Sequence, residues 1–135
     1  MPFYKKPYPI SKNKLLVVKK YINEHLNKGF IYFSIFLAAT PILLAKKLGG
    51  GIWFCINYRG LNTIIIKNWY SVPLIHKTFK RFNQAKIYTK LDIIAAFNYL
   101  QIREGNKWKT TFALHFSQFE YTVMPFSVYN GPGTF

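Results

Sequence analysis

Apolar side chains recur at helical spacing between Ser11 and Lys28. Leu15, Val18, Ile22 and Leu26 share one face, with Lys12, Lys19, Lys20 and Asn23 elsewhere on the cylinder. Ser11 can cap the start, and Lys28-Gly29 marks the C-terminal end. Ile42–Lys47 and Ile52–Tyr58 flank three consecutive glycines, Gly49, Gly50 and Gly51, which predicts a hairpin. Its second strand puts Ile52, Phe54, Ile56 and Tyr58 on one face, against Trp53, Cys55 and Asn57. A connecting loop is expected over Asn62–Pro73 and a short helix over Leu74–Phe82. Ile87, Thr89 and Leu91 alternate with Tyr88, Lys90 and Asp92, which predicts a strand over Lys86–Asp92. Ile93–Tyr99 fits one or two helical turns, and Glu104-Gly105-Asn106 a turn. Thr110–Leu114 and Phe119–Met124 read as a second hairpin, stopped by Pro125. Asn130-Gly131-Pro132 reads as a turn opening a helix, with Pro near its first position. The chain stops at Phe135, directly after that start, so a domain cut short is expected.

The three glycines lack a following Lys-Ser/Thr and a helix, so they do not form a phosphate-binding loop of the nucleotide-hydrolase kind. Residues 1–10, rich in Pro and aromatics, read as an extended arm. With no apolar run after their lysines they are not a signal peptide. Gly29–Ala45 carries no charge, which is near the lower limit for a membrane span of about 20 residues. Ser34, Thr40 and Pro41 interrupt it and lysines flank both ends, so buried strands are the better reading.

Composition narrows the choice. At 135 residues the chain suits one domain, and its hydrophobic half excludes a solvated tail. One cysteine, Cys55, excludes an internal disulfide framework and a Cys-based zinc site. The histidines His25, His76 and His115 stand far apart in sequence without ligand-spaced partners. Nineteen Lys and Arg face four acids, Glu24, Asp92, Glu104 and Glu120, for a net charge of +15. Such a field favours polyanions, nucleic acid before an anionic membrane surface. Sixteen of the 19 basic residues are Lys, so the charge is generic and not built from bidentate Arg sites.

Asp92 is the most informative side chain. A carboxylate at a strand end can hold a divalent metal, and the small Ala95 and Ala96 let a ligand approach the backbone. An aromatic beyond them, Phe97, can pack on a sugar or base. Phosphoryl transfer with two metals uses such a carboxylate, yet on these residues alone a solvated strand-end aspartate is the better reading.

Five blocks change that balance: TPILLAKK from Thr40, INYRGLN from Ile56, AKIYTKLD ending at Asp92, QIREGNKWKTTF from Gln101, and VMPFSVYNGPGTF from Val123. In their order and spacing they make the chain, from about Tyr8 to Phe135, resemble the N-terminal part of a reverse transcriptase of gypsy-class LTR retrotransposons. The resemblance implies an α+β fold of the right-hand polymerase kind, with residues 11–135 as fingers and the first part of the palm. It implies RNA-directed DNA polymerase activity with magnesium, a template–primer of RNA or DNA, and deoxynucleoside triphosphates. Asp92 matches the first of three metal-binding catalytic aspartates, and Ile93 a residue whose carbonyl lies beside the metals. Lys46 or Lys47 matches a fingers lysine on the phosphates. Ala96, Phe97 and Phe126 match nucleotide contacts, Phe97 being the aromatic under the incoming sugar. Asn130, Gly131 and Pro132 match the segment near the template–primer. Arg59 suits either a template contact or a pin between hairpin and palm.

The chain also departs from that pattern. No Asp-Asp pair exists in it, so two of the three catalytic aspartates are missing and no activity is expected of it alone. Trp53 stands where the family usually has a fingers Arg, Gly49 and Asn57 where it usually has Asp, Ile94 and Ala95 where it has polar residues, and Ser127 where it has Gly. Two alternatives follow from composition: a non-catalytic basic module that binds nucleic acid, and a membrane-associated basic protein built around Gly29–Ala45.

Overall fold

The computed structural model describes residues 4–71, 74–83 and 85–135. The architecture is α+β, as expected. Helix α1 spans Lys12–Asn27, and strands β1 (Ile31–Phe33), β2 (Thr40–Lys46) and β3 (Ile52–Ile56) follow it. Helices α2 (Arg59–Ile64) and α3 (Ile75–Phe82) come next, then β4 (Phe112–Ala113), β5 (Gln118–Tyr121) and α4 (Gly131–Thr134). The strands form one mixed sheet in the order β1-β5-β4-β2-β3.

The α1 pattern folds as its spacing demands. Val18 and Ile22 are buried, and the C-terminal end closes where Gly29, at φ +68°, turns the chain. There Gly29 N–H donates to Leu26 O at 2.9 Å and Phe30 N–H to His25 O at 2.9 Å, satisfying two terminal carbonyls. The predicted glycine hairpin is present, with Ile42 opposite Ile56, Leu44 opposite Phe54 and Lys46 opposite Ile52. Its turn requires three successive positive φ values, 86°, 100° and 88°, which residues other than glycine adopt only at a cost.

The second hairpin, β4 with β5, is antiparallel. A short parallel seam, Thr40 to Phe112 and Pro41 to Ala113, joins the two hairpins into one sheet. α1 lies across this sheet and touches both edge strands, β1 and β3. Between them sits the core: Val18, Ile22, Ile42, Ile56, Tyr58, Phe112, Phe119 and Tyr121. The buried phenols are hydrogen-bonded, Tyr58 Oη donating to Thr110 O at 2.7 Å and Tyr121 Oη pairing with Tyr21 Oη at 2.8 Å. Burial pushes the pKa of Tyr58 and of Tyr121 well above that of an ordinary phenol, so both stay neutral.

Three expectations need correction. Lys86–Asp92 is not a strand; the segment is irregular and exposed where it is described. Alternation supplies a two-faced ribbon, but a strand also needs a neighbour for its backbone groups, and the described sheet ends at β1 and β3 without reaching it. The loop expected from Asn62 begins later, because α2 continues to Ile64. The strand expected over Phe119–Met124 ends at Tyr121, and beyond it Val123 makes an isolated bridge to Gln101. Val72 and Pro73, expected to end the loop, and the first three residues of the expected arm lie outside the described residues. From Tyr4 the arm is irregular, bridged to Ala39. Gly29–Ala45 forms strands and a loop, and among the described residues no helix is long and apolar enough to cross a membrane.

Ser127 sits at φ +79°, in the left-handed region. Its carbonyl accepts from Asn62 Nδ2 at 2.9 Å, and Asn62 Oδ1 accepts from Tyr129 N–H at 2.9 Å, which holds the turn in place. A Cβ in that region costs about 1–2 kcal/mol, partly offset by the greater chain freedom of glycine when unfolded. Ser127→Gly should therefore stabilise the fold by roughly 0.5–1 kcal/mol, read as a higher urea midpoint. A lower midpoint would show that the side chain itself holds the turn.

Candidate functional site

Four chain segments meet at one open cleft of about 340 Å³. The glycine hairpin contributes Lys47, Trp53 and Phe54, and α1 contributes Tyr21. The turn at Ala95–Asn98 contributes Phe97, and the stretch after β5 contributes Phe126. Among the described residues that line it, only Lys47 carries a charge at neutral pH.

Each wall has a local cause. Tyr21 stacks on Phe54 with centroids 4.0 Å apart and on His25 at 3.8 Å, fixing α1 to β3. Burial lowers the pKa of His25, whose Nδ1 lies 2.9 Å from Tyr21 O. The Lys47 ammonium sits over the Trp53 ring, 4.3 Å from its centroid, within cation–π range. Ala95, at φ 52° and ψ 41°, reverses the chain before a single 3-10 turn, Ala96–Tyr99, that presents Phe97. The Phe97 ring lies 6.2 Å from Phe126 and 6.4 Å from Phe135. Gly131 backs it: a Cβ there would stand 3.3 Å from Phe97 Cε1, so the ring would have to give by a few tenths of an ångström.

Of the residues singled out in the sequence, Lys47, Phe97 and Phe126 thus line one cleft, with Gly131 directly behind Phe97. Ala96 is half-buried in the same turn and Lys46 ends β2, but neither lines the cleft. Asp92 and Ile93 lie on the exposed irregular segment ahead of that turn, and neither lines the cleft. Asn130 is occupied: its Oδ1 accepts from Asn68 N–H at 3.0 Å and its Nδ2 donates to Ile66 O at 2.9 Å. It pins the 66–68 stretch to α4, whose Pro132 is exposed. Arg59 is exposed, and its Nε donates to Asn57 Oδ1 at 2.9 Å, while the adjacent Tyr58 is core.

The implied magnesium site fails a test of fit. Asp92 is a single carboxylate on an exposed stretch, and among the described residues no three His, Cys, Asp or Glu side chains converge. One carboxylate does not hold two divalent cations against their mutual repulsion. Glu120 is no substitute. It is buried in β5, accepts from Ser34 Oγ at 2.7 Å, and ties the end of β1 to the sheet. Sequence patterning missed this, although a strand covered on both sides buries both of its faces.

No protein-family model matches the chain. Over 128 residues it is 30% identical to the Transposon Tf2-3 polyprotein of Schizosaccharomyces pombe, covering 95% of this chain and 10% of the relative. The Transposon Tf2-7 polyprotein of the same organism matches with the same identity and coverage. The chain therefore spans about a tenth of the length of these curated relatives. Among solved structures it is similar to a foamy viral protease-reverse transcriptase in complex with double-stranded DNA, with a TM-score of 0.81 and 19% identity over 100% of this chain and 24% of that one. It is also similar to a foamy viral protease-reverse transcriptase in complex with an RNA/DNA hybrid, with a TM-score of 0.80 and 18% identity over 98% of this chain and 18% of that one. The fold is accordingly that of a reverse transcriptase domain.

Proposed function

We propose that this chain is the fingers and first part of the palm of a gypsy-class retrotransposon reverse transcriptase, ancestrally an RNA-directed DNA polymerase. The observation that carries the reading is the convergence of Lys47, Phe97 and Phe126, from three distant segments, on one cleft. Similarity to transposon polyproteins and to reverse transcriptases bound to DNA and RNA/DNA supports it. Template–primer and deoxynucleoside triphosphates are its ancestral partners, and the chain's own residues supply walls and charge. Phe97, backed by Gly131, offers a flat face to a sugar, and Phe126 closes the side of the cleft. Nothing in the described residues carries out the transfer itself, so the 135-residue polypeptide alone binds nucleic acid without extending it.

Primer extension tests both halves. On a primed template with magnesium or manganese, the pure polypeptide should incorporate nothing; clear incorporation would refute its inactivity. Residues 11–135 grafted in place of the matching segment of a Tf2-type reverse transcriptase should give primer-dependent incorporation that Asp92→Asn abolishes. A folded graft without that activity would overturn the reverse transcriptase reading.

A further inference from the structure

The cleft differs in kind from a site built to hold phosphates. Phosphate sites gather cations or backbone N–H donors. Here Lys47 alone is charged among the described lining residues, and its ammonium already rests on the Trp53 face. The remaining walls are largely flat rings: Tyr21, Trp53, Phe54, Phe97 and Phe126. Trp53 is 52% exposed, on an edge strand, so its ring is accessible to a ligand once the Lys47 ammonium moves off it. The volume, about 340 Å³, lies at the small end of the ligand-pocket range of roughly 300–1,000 Å³.

We infer that this cleft takes an unpaired nucleobase, stacked on Trp53 in place of the Lys47 ammonium, and selects for the base and not for the phosphates attached to it. The surrounding positive surface draws a polyanion in, and the aromatic walls receive the base; single-stranded nucleic-acid sites combine these same two elements. Stacking needs only a π-face, so the site tolerates any base. Lys47, displaced from the ring, remains free for the nearest backbone phosphate. The inference deepens the reading above, from which it takes nucleic acid as the ligand class. Its core claim, base over triphosphate, rests on the lining alone.

The test uses the 135-residue polypeptide and a fluorescent base, 2-aminopurine, as the deoxynucleoside and as its triphosphate without metal. Both should be quenched on binding, with affinities within about threefold of each other. Trp53→Ala should weaken nucleoside binding by at least about fivefold, the lower bound for one lost base–aromatic stack. Trp53→Arg should weaken the nucleoside and strengthen the triphosphate. Trp53 is half-exposed, so both variants should keep the parent's circular dichroism spectrum. Absence of quenching, a triphosphate preference above threefold, or full nucleoside binding by Trp53→Ala would each overturn the inference. Failure here, with the graft still active, would leave the reverse transcriptase reading standing; a stacking site in a chain whose graft is inactive would show the reverse.

Discussion

Affinity of the 135-residue polypeptide for a nucleic-acid strand will fall about a thousandfold between about 50 and 200 mM salt, as expected for roughly six neutralised phosphates. The reason is an excess of cations with no acidic partner. All but two of the 19 Lys and Arg make no ion pair among the described residues. The two pairs are Lys20 with Glu24 at 4.0 Å and Lys107 with Glu104 at 2.6 Å, both between neighbours in sequence. The basic residues spread over α1, α3, the hairpin and the 103–109 stretch, so their effect is a field over much of the surface and not a single pocket. Binding carried by such a field releases counterions and shows little sequence preference. Anisotropy of a labelled oligonucleotide, titrated at stepped salt, gives the slope directly. An affinity indifferent to salt would mean that charge is not what holds the strand.

Phe112→Ala should cost about 3–5 kcal/mol, the range for emptying a fully buried aromatic site. Phe112 is wholly buried, and its ring lies 5.5 Å from Tyr121, 5.7 Å from Phe119 and 5.9 Å from Phe54. It also sits on the parallel seam opposite Thr40, so its loss loosens the contact between the hairpins. A domain of this size has about 5–15 kcal/mol in total, so the variant should lose a large share of its stability and unfold at a much lower urea concentration. Urea denaturation followed by circular dichroism would measure the loss. A change below about 1 kcal/mol would show that the rings do not pack as described.

Much of the fold was legible because its signals are local. The α1 stripe, the three-glycine turn, the β4–β5 alternation, the α3 pattern and Pro132 at the α4 start each act within a few residues, and each was readable. α2 was not, since it contains Gly60, buries no residue, and is held by Asn62 reaching across to Ser127 and Tyr129. The Lys86–Asp92 alternation misled because pattern cannot reveal whether a pairing partner exists. The site divides in the same way. Lys47, Phe97 and Phe126 followed from motif order, but their shared cleft depends on the hairpin and the Ala95 reversal meeting in space. Nothing local marks Asn130 as a pin, because its partners Ile66 and Asn68 lie far back in the chain.

The parallel seam is one of two long-range closures in this sheet. Each hairpin closes over a short span, whereas Thr40 and Phe112, like Ile31 and Tyr121, stand more than half the chain apart. Closing so long a loop is paid in entropy before any burial returns it, which slows the step that unites the halves. A chain whose hairpins have formed but not joined leaves apolar rims bare, so refolding at high concentration should favour association between copies.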